Sequence, residues 1–237
     1  YELQWEIVNG TCSTNDQVTI HYEEAAEAGA DQDICGSLLA TLAGNEPAVG
    51  TGTWTQLSGP GTITFGDANV YNTTATADAY GTYELQWEIV NGTCSTNDQV
   101  EIWFEPIPDI DGSNDVICNN TSTNIELTTT TTNARYGIRY VWNAIDPSEE
   151  ITGESNSTGN GNKIDQNLQQ VLNNNDLNAH EIIYNIIPYT IYSDSSLHCG
   201  GDPITLEIWV NPTPEIRVST PDTVLCNGEA TTIMIDN

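Results

Sequence analysis

The chain alternates from its first residue. Tyr1, Leu3, Trp5 and Ile7 are separated by Glu2, Gln4 and Glu6. A period of two predicts a strand with one face toward a core and the other toward water. Asn9-Gly10 follows as a turn signal. A second alternating run then closes a hairpin. The stretch YELQWEIVNGTCSTNDQV at 1–18 returns unchanged at 83–100, so that Tyr1 corresponds to Tyr83 and Cys12 to Cys94. There the second strand is plain: Val100, Ile102 and Phe104 alternate with Glu101 and Trp103. A self-match at a domain-sized period marks a tandem array of whole domains, too long a period for a solenoid of small units.

Further strands are predicted at 37–44, 52–61, 62–65 and 72–77, the second ended by Gly59-Pro60-Gly61. Six or seven strands within 24–105, with turn signals between them, predict an antiparallel β-sandwich with Trp54 as its core tryptophan. The later part repeats the plan with insertions: strands are predicted at 124–130, 135–145, 180–192 and 203–212. One segment reads differently. Ile164, Leu168, Val171 and Leu172 have helical spacing, so a short helix is expected around 164–172.

The expected architecture is therefore all-β, a linear array of immunoglobulin-like sandwiches. Residues 1–23 are read as the C-terminal part of a preceding domain, and 24–105 as a complete domain. Residues 106–211 are read as a second, larger domain, and 212–237 as the start of a third. Pro106-Ile107-Pro108 and Pro212-Thr213-Pro214 look like short, stiff joints, because closely spaced prolines favour extended chain.

Charge narrows the function. The chain holds 34 acidic residues against four basic ones, for a net charge of −30. Such a field repels nucleic acid and anionic lipid and attracts cations, which excludes nucleic acid as a partner. No apolar run approaches the ~20 residues of a membrane helix, so membrane insertion is not expected.

Six cysteines occur without a CxxC pair. Their number allows 15 pairings on counting alone. Cys35, Cys118 and Cys226 share a local pattern (Asp-Ile-Cys-Gly, Val-Ile-Cys-Asn, Val-Leu-Cys-Asn), and Cys12 and Cys94 are equivalent by the repeat. Early and late cysteines thus alternate. One of each per domain predicts Cys35–Cys94 and Cys118–Cys199, with the partners of Cys12 and Cys226 outside the sequence. This usage points to an oxidising, extracellular compartment.

Asp31 and Asp33 precede Cys35, and Asp109, Asp111 and Asp115 precede Cys118. Near a domain joint these five are candidate ligands for a structural Ca²⁺, which takes six to eight oxygens. His21, His180 and His198 show no zinc spacing. No Gly-x-Ser-x-Gly occurs, and no catalytic residue or other cofactor is expected. Trp103 and Trp209 are candidates for sugar stacking or for ordinary packing.

GTWTQLSGPG, AYGTYELQWEIVNGTC and QVEI resemble the PKD-like, immunoglobulin-like repeats of Bacteroidota surface proteins. YVWNAI, GNKIDQNLQQVL, IIYNIIPY and HCGGDPITLEIWVNPTPEI resemble a second PKD-like class of the same proteins. Nearest among such families are the SprB-type gliding-motility adhesins, exported by the type IX secretion system and moved along the cell surface by a rotary motor. The resemblance implies a shaft segment of a very long surface adhesin. Its partners would be the adjacent repeats and, through other parts of the parent, the secretion and gliding machinery. The alternative is a polysaccharide-binding or spacer module of a secreted protein. Asp222-Thr223-Val224 resembles the O-glycosylation motif of that phylum, which makes Thr223 a candidate glycan site.

Overall fold

The computed structural model describes every residue except 21, 23, 158–166, 222 and 237. The chain divides into two compact units, Tyr1–Pro106 and Ile107–Asn237. Both are built of strands, and no helix occurs among the described residues.

The first unit opens with the hairpin β1 (Glu2–Asn9) and β2 (Cys12–Thr19). A sandwich follows: β3 (Gln32–Cys35), β4 (Leu39–Thr41), β5 (Thr51–Ser58), β6 (Ile63–Phe65), β7 (Thr74–Ala77), β8 (Gly81–Asn91) and β9 (Cys94–Glu105). One sheet has the order β3-β9-β8-β5 and the other β4-β7-β6. All pairs are antiparallel except β3 with β9, which run parallel from Gln32↔Ile102 to Cys35↔Glu105. The alternation seen in sequence fixes the register. Tyr83, Leu85, Trp87 and Ile89 face Ala40, Ile63, Ala75 and Ala77 of the other sheet in one buried cluster. Trp54 packs on Trp87 with ring centroids 5.1 Å apart. That stack requires a glycine opposite it: a Cβ on Gly52 would run into the Trp87 ring.

Both hairpins turn through two residues, Gly10-Thr11 and Gly92-Thr93, between the paired Asn9↔Cys12 and Asn91↔Cys94. Gly10 and Gly92 both have positive φ, as the first position of a II′ turn demands.

The second unit contains β10 (Asp115–Cys118), β11 (Thr121–Ser122), β12 (Ile125–Glu126), β13 (Ile138–Ile145), β14 (Ile151–Thr152), β15 (Asn167–Leu168) and β16 (Val171–Asn174). It continues with β17 (His180–Ile191), β18 (Leu197–Gly200), β19 (Ile204–Asn211), β20 (Arg217–Ser219) and β21 (Met234–Asp236). Its main sheet, β10-β19-β17-β13, repeats the plan of the first unit: the first strand lies parallel to the last, and the last antiparallel to the one before it. Short strands β11, β16 and β14 form a second layer, with β12 pairing β15. Ile182, Tyr184 and Ile186 share a core with Leu168, Leu172 and Leu206.

The helix expected around 164–172 is corrected here. Residues 164–166 lie outside the described residues; beyond them Asn167–Leu168 and Val171–Asn174 are strands. Leu168, Gln170, Leu172 and Asn174 are buried, while Gln169 and Val171 are exposed, a period of two. Positions four apart share a face in a helix and in a strand alike, so Leu168 and Leu172 could not separate the two. Buried polar partners favour the strand. The Gln170 side chain accepts from the Tyr184 hydroxyl (2.8 Å) and donates to the Ser155 carbonyl (2.7 Å). The Asn174 amide donates to the Val210 carbonyl (2.8 Å). These bonds satisfy polar groups that would be costly to bury unpaired.

Candidate functional site

The poles of each sandwich are set by where the chain comes in and leaves. In the first unit the Ala26 N–H donates to Thr96 Oγ1 (3.0 Å) and the Ala28 N–H to Asp98 Oδ2 (2.8 Å). The chain therefore comes in beside the hairpin tip at Asn91–Cys94. It leaves at the far end of β9, where Cys35 pairs with Glu105. In the second unit, a Cβ on Gly201 would collide with the Pro108 carbonyl oxygen, so the chain comes in beside the β17–β18 end. It leaves at Asn211, which pairs with Cys118. Each sandwich thus takes the chain in at one pole and releases it at the other.

This polarity overturns the expected disulfides. Cys35 sits at the leaving pole and Cys94 at the tip pole. Cys94 and Glu105 are the two ends of β9, roughly 36 Å apart at ~3.3 Å per residue. A disulfide holds Cα atoms about 4.4–6.8 Å apart. Cys118 and Cys199 are likewise at opposite ends of β17, beside His180 and Tyr189 respectively. Neither Cys35–Cys94 nor Cys118–Cys199 forms. Cys35 is disulfide-bonded, and so is Cys199. Cys12, Cys94, Cys118 and Cys226 are exposed free thiols.

The candidate calcium ligands are used otherwise. Asp109 accepts from the hydroxyls of Thr129 (2.6 Å), Thr130 and Thr131 (2.6 Å) and from the N–H groups of Thr130 (3.0 Å) and Thr131 (2.9 Å). The three threonine hydroxyls hold its carboxyl well below the usual carboxylate range. With its oxygens engaged by five donors, Asp109 has little left for a cation. Asp31 accepts the Glu101 N–H (2.8 Å), Asp111 the Gly112 N–H (2.9 Å) and Asp115 the Val116 N–H (2.8 Å). Asp111 and Asp115 share an open cleft with Asn114, Asn124 and Glu126. None of the five, Asp33 included, joins a cluster of three carboxylate, His or Cys ligand atoms among the described residues.

Of the remaining candidates, Trp103 is buried and Trp209 is partly exposed. Trp209 lines an open cleft of about 220 Å³ with Pro147, Ser148, Ala179, His180 and Glu181. His180 Nε2 lies 2.7 Å from Asp176 Oδ2. That contact, with the Asn178 side chain and the Leu177 N–H, lowers the Asp176 carboxyl to about 2. His198 stacks on Tyr192 at 4.2 Å, and His21 lies outside the described residues. Thr223 is exposed, and its neighbour Asp222 lies outside the described residues.

Two features escaped sequence reasoning. One is the Asp109 clasp, whose donors Thr129, Thr130 and Thr131 lie in and just past the 124–130 segment expected as strand. The other is the bare face of β1–β2. Tyr1, Leu3, Trp5, Ile7 and Val18 are all exposed there, although the same residues in β8–β9 are buried.

No helix among the described residues is long and apolar enough to cross a membrane. The sequence matches none of the curated proteins. Among solved structures, the chain is similar to Drosophila OTK extracellular domains 3–5 (8% identity, TM-score 0.47, 90% of this chain and 71% of that one). It is also similar to the insect immune protein hemolin (10%, TM-score 0.42, 90% and 56%). A third is the human desmocollin-1 ectodomain (9%, TM-score 0.43, 89% and 46%). By sequence, residues 115–214, which span the main sheet of the second unit, match the PKD-like domain family.

Proposed function

We propose that this chain is a shaft segment of a very long cell-surface adhesin, a mechanical spacer of serial sandwiches rather than an enzyme. One observation carries the reading: each sandwich receives the chain at one pole and releases it at the other. Domains of that kind add length with each repeat, and a hairpin sequence repeated without change at 1–18 and 83–100 is what serial addition leaves behind. The net charge of −30 keeps such an array soluble and discourages collapse. Disulfide-bonded Cys35 and Cys199 suit an extracellular setting. The resemblance to Bacteroidota repeats supports the finer reading: a gliding-motility adhesin exported by type IX secretion. We assign no catalytic residue.

A second reading, polysaccharide binding, rests on Trp209. Its ring is partly exposed beside His180 and Glu181, a stacking surface with polar neighbours.

Antibodies raised against the chain and applied to live producing cells separate these. Label that travels along the surface supports the gliding adhesin. Static surface label supports a fixed stalk and removes gliding. Label found in the medium alone overturns the surface reading in favour of the secreted one.

A further inference from the structure

One buried amide in the second unit is held almost entirely by one residue of another segment. Gln170 is buried between β15 and β16. Its Oε1 accepts from the Ser155 N–H (2.8 Å) and from the Tyr184 hydroxyl (2.8 Å). Its Nε2 donates to the Ser155 carbonyl (2.7 Å) and to Ser155 Oγ (3.1 Å). These four bonds satisfy a buried amide, and they also set it up to react. Two donors converge on the amide oxygen at the distance that stabilises an oxyanion. A hydroxyl stands within hydrogen-bond reach of the nitrogen that would leave. Burial first, and then the charge of Glu154, raise the Tyr184 pKa, so its hydroxyl stays a donor near neutral pH. Glu154, the residue before the serine, has a buried Oε2 with no hydrogen-bond partner among the described residues.

We infer that Ser155 and Gln170 join in an intramolecular ester. The hydrogen-bonded amide is the reactant state, and a turn about the serine Cα–Cβ bond brings Oγ over Gln170 Cδ. Oγ attacks that carbon as the nucleophile. The negative charge that builds on Oε1 is held by the Ser155 N–H and the Tyr184 hydroxyl. A tetrahedral carbon ends the conjugation that keeps an amide nitrogen weakly basic. Nε2 then takes the Oγ–H proton with Glu154 as its carrier, the C–N bond breaks, and ammonia leaves. The charge on Oε1 returns to a carbonyl, now that of an ester. Nothing is oxidised or reduced, and no co-reactant is consumed. Ser155 is exposed, so the ammonia has a way to solvent. The bond ties the segment after β14 to the layer of β15 and β16, where the strands are two to four residues long. A pull on the chain then passes directly from Ser155 to Gln170. That benefit rests on the shaft reading. The chemistry does not, because it needs only the fold of the second unit.

The test is the intact mass of the folded, full-length chain. It is expected to fall one ammonia short of the sequence mass once disulfides are allowed for. Fragmentation is expected to place the loss on a cross-linked pair of peptides holding Ser155 and Gln170. Ser155→Ala keeps the backbone N–H and carbonyl that hold the amide, so it is expected to fold and to retain the full mass. Ser155→Thr restores a hydroxyl and recovers the loss. Glu154→Gln is expected to slow the release by on the order of 100-fold, and Glu154→Asp to regain part of that rate. A folded chain with its full mass overturns the inference. So does an ammonia loss that persists in Ser155→Ala or maps to an Asn-Gly turn instead. None of these readouts depends on where the protein resides, so failure here leaves the shaft reading standing.

Discussion

Asp109 shows how a residue's chemistry is decided by its donors. An aspartate beside a joint in a chain of net charge −30 reads as a cation ligand. Folding instead turns Thr129, Thr130 and Thr131 onto it, and the carboxylate closes a clasp between the incoming segment and the loop after β12. Hydrogen bonds to the charged form depress the folded-state pKa below the unfolded value of about 3.9. The sign follows. The clasp contributes its full stability above that unfolded value and loses it as pH falls toward the depressed folded value. Asp109→Asn is expected to lower the unfolding midpoint of the second unit near neutral pH. It should also flatten the fall of that midpoint between roughly pH 4 and pH 2. Thermal melts of both proteins across that range check this; parallel curves would sink it.

At the scale of elements, the repeated hairpin offers an internal control. Trp5 and Trp87 have the same neighbours in sequence, yet only Trp87 is buried, stacked on Trp54. Trp87→Ala should cost the first unit about 3–5 kcal/mol, while Trp5→Ala should stay within about 0.5 kcal/mol. Denaturant midpoints with unchanged slopes measure both; similar losses would mean that the β1–β2 face is covered after all. The strand β8 was legible because its alternation is uninterrupted: residues 83–90 bury alternate positions as their sequence says. Residues 180–187 bury alternate positions too, but there Ile183 and Ile187 place apolar residues on the other face, so the period is blurred in the sequence. The segment 167–174 was illegible because two of its four buried positions are polar, Gln170 and Asn174. Their partners, Tyr184 and Val210, come from other strands, distant in sequence. Two-residue strands such as β11, β12 and β14 carry too few positions for any period to show.

For the whole molecule, the alternation of cysteines was visible but its meaning was not. Spacing along a chain does not say at which pole of a sandwich a thiol lies. That depends on the parallel pairing of β3 with β9 and of β10 with β19, a long-range contact with no local signature. Alkylation of the native, unreduced protein is expected to modify Cys12, Cys94, Cys118 and Cys226. Cys35 and Cys199 should react only after reduction. Peptide mass mapping reads the outcome; native adducts on Cys35 or Cys199 would refute it.

The same parallel pairing governs how a sandwich bears load. Tension on the chain pulls the start of β3 toward the tip pole and the end of β9 toward the leaving pole. The two strands are drawn past each other along their length. The rungs between Gln32–Cys35 and Ile102–Glu105 then resist together and fail together, as a lap joint does, whereas an antiparallel end pair would peel open one rung at a time. The second unit has the same joint between Asp115–Cys118 and Ile208–Asn211. A short strand at the start of each sandwich is thus its latch against being drawn out.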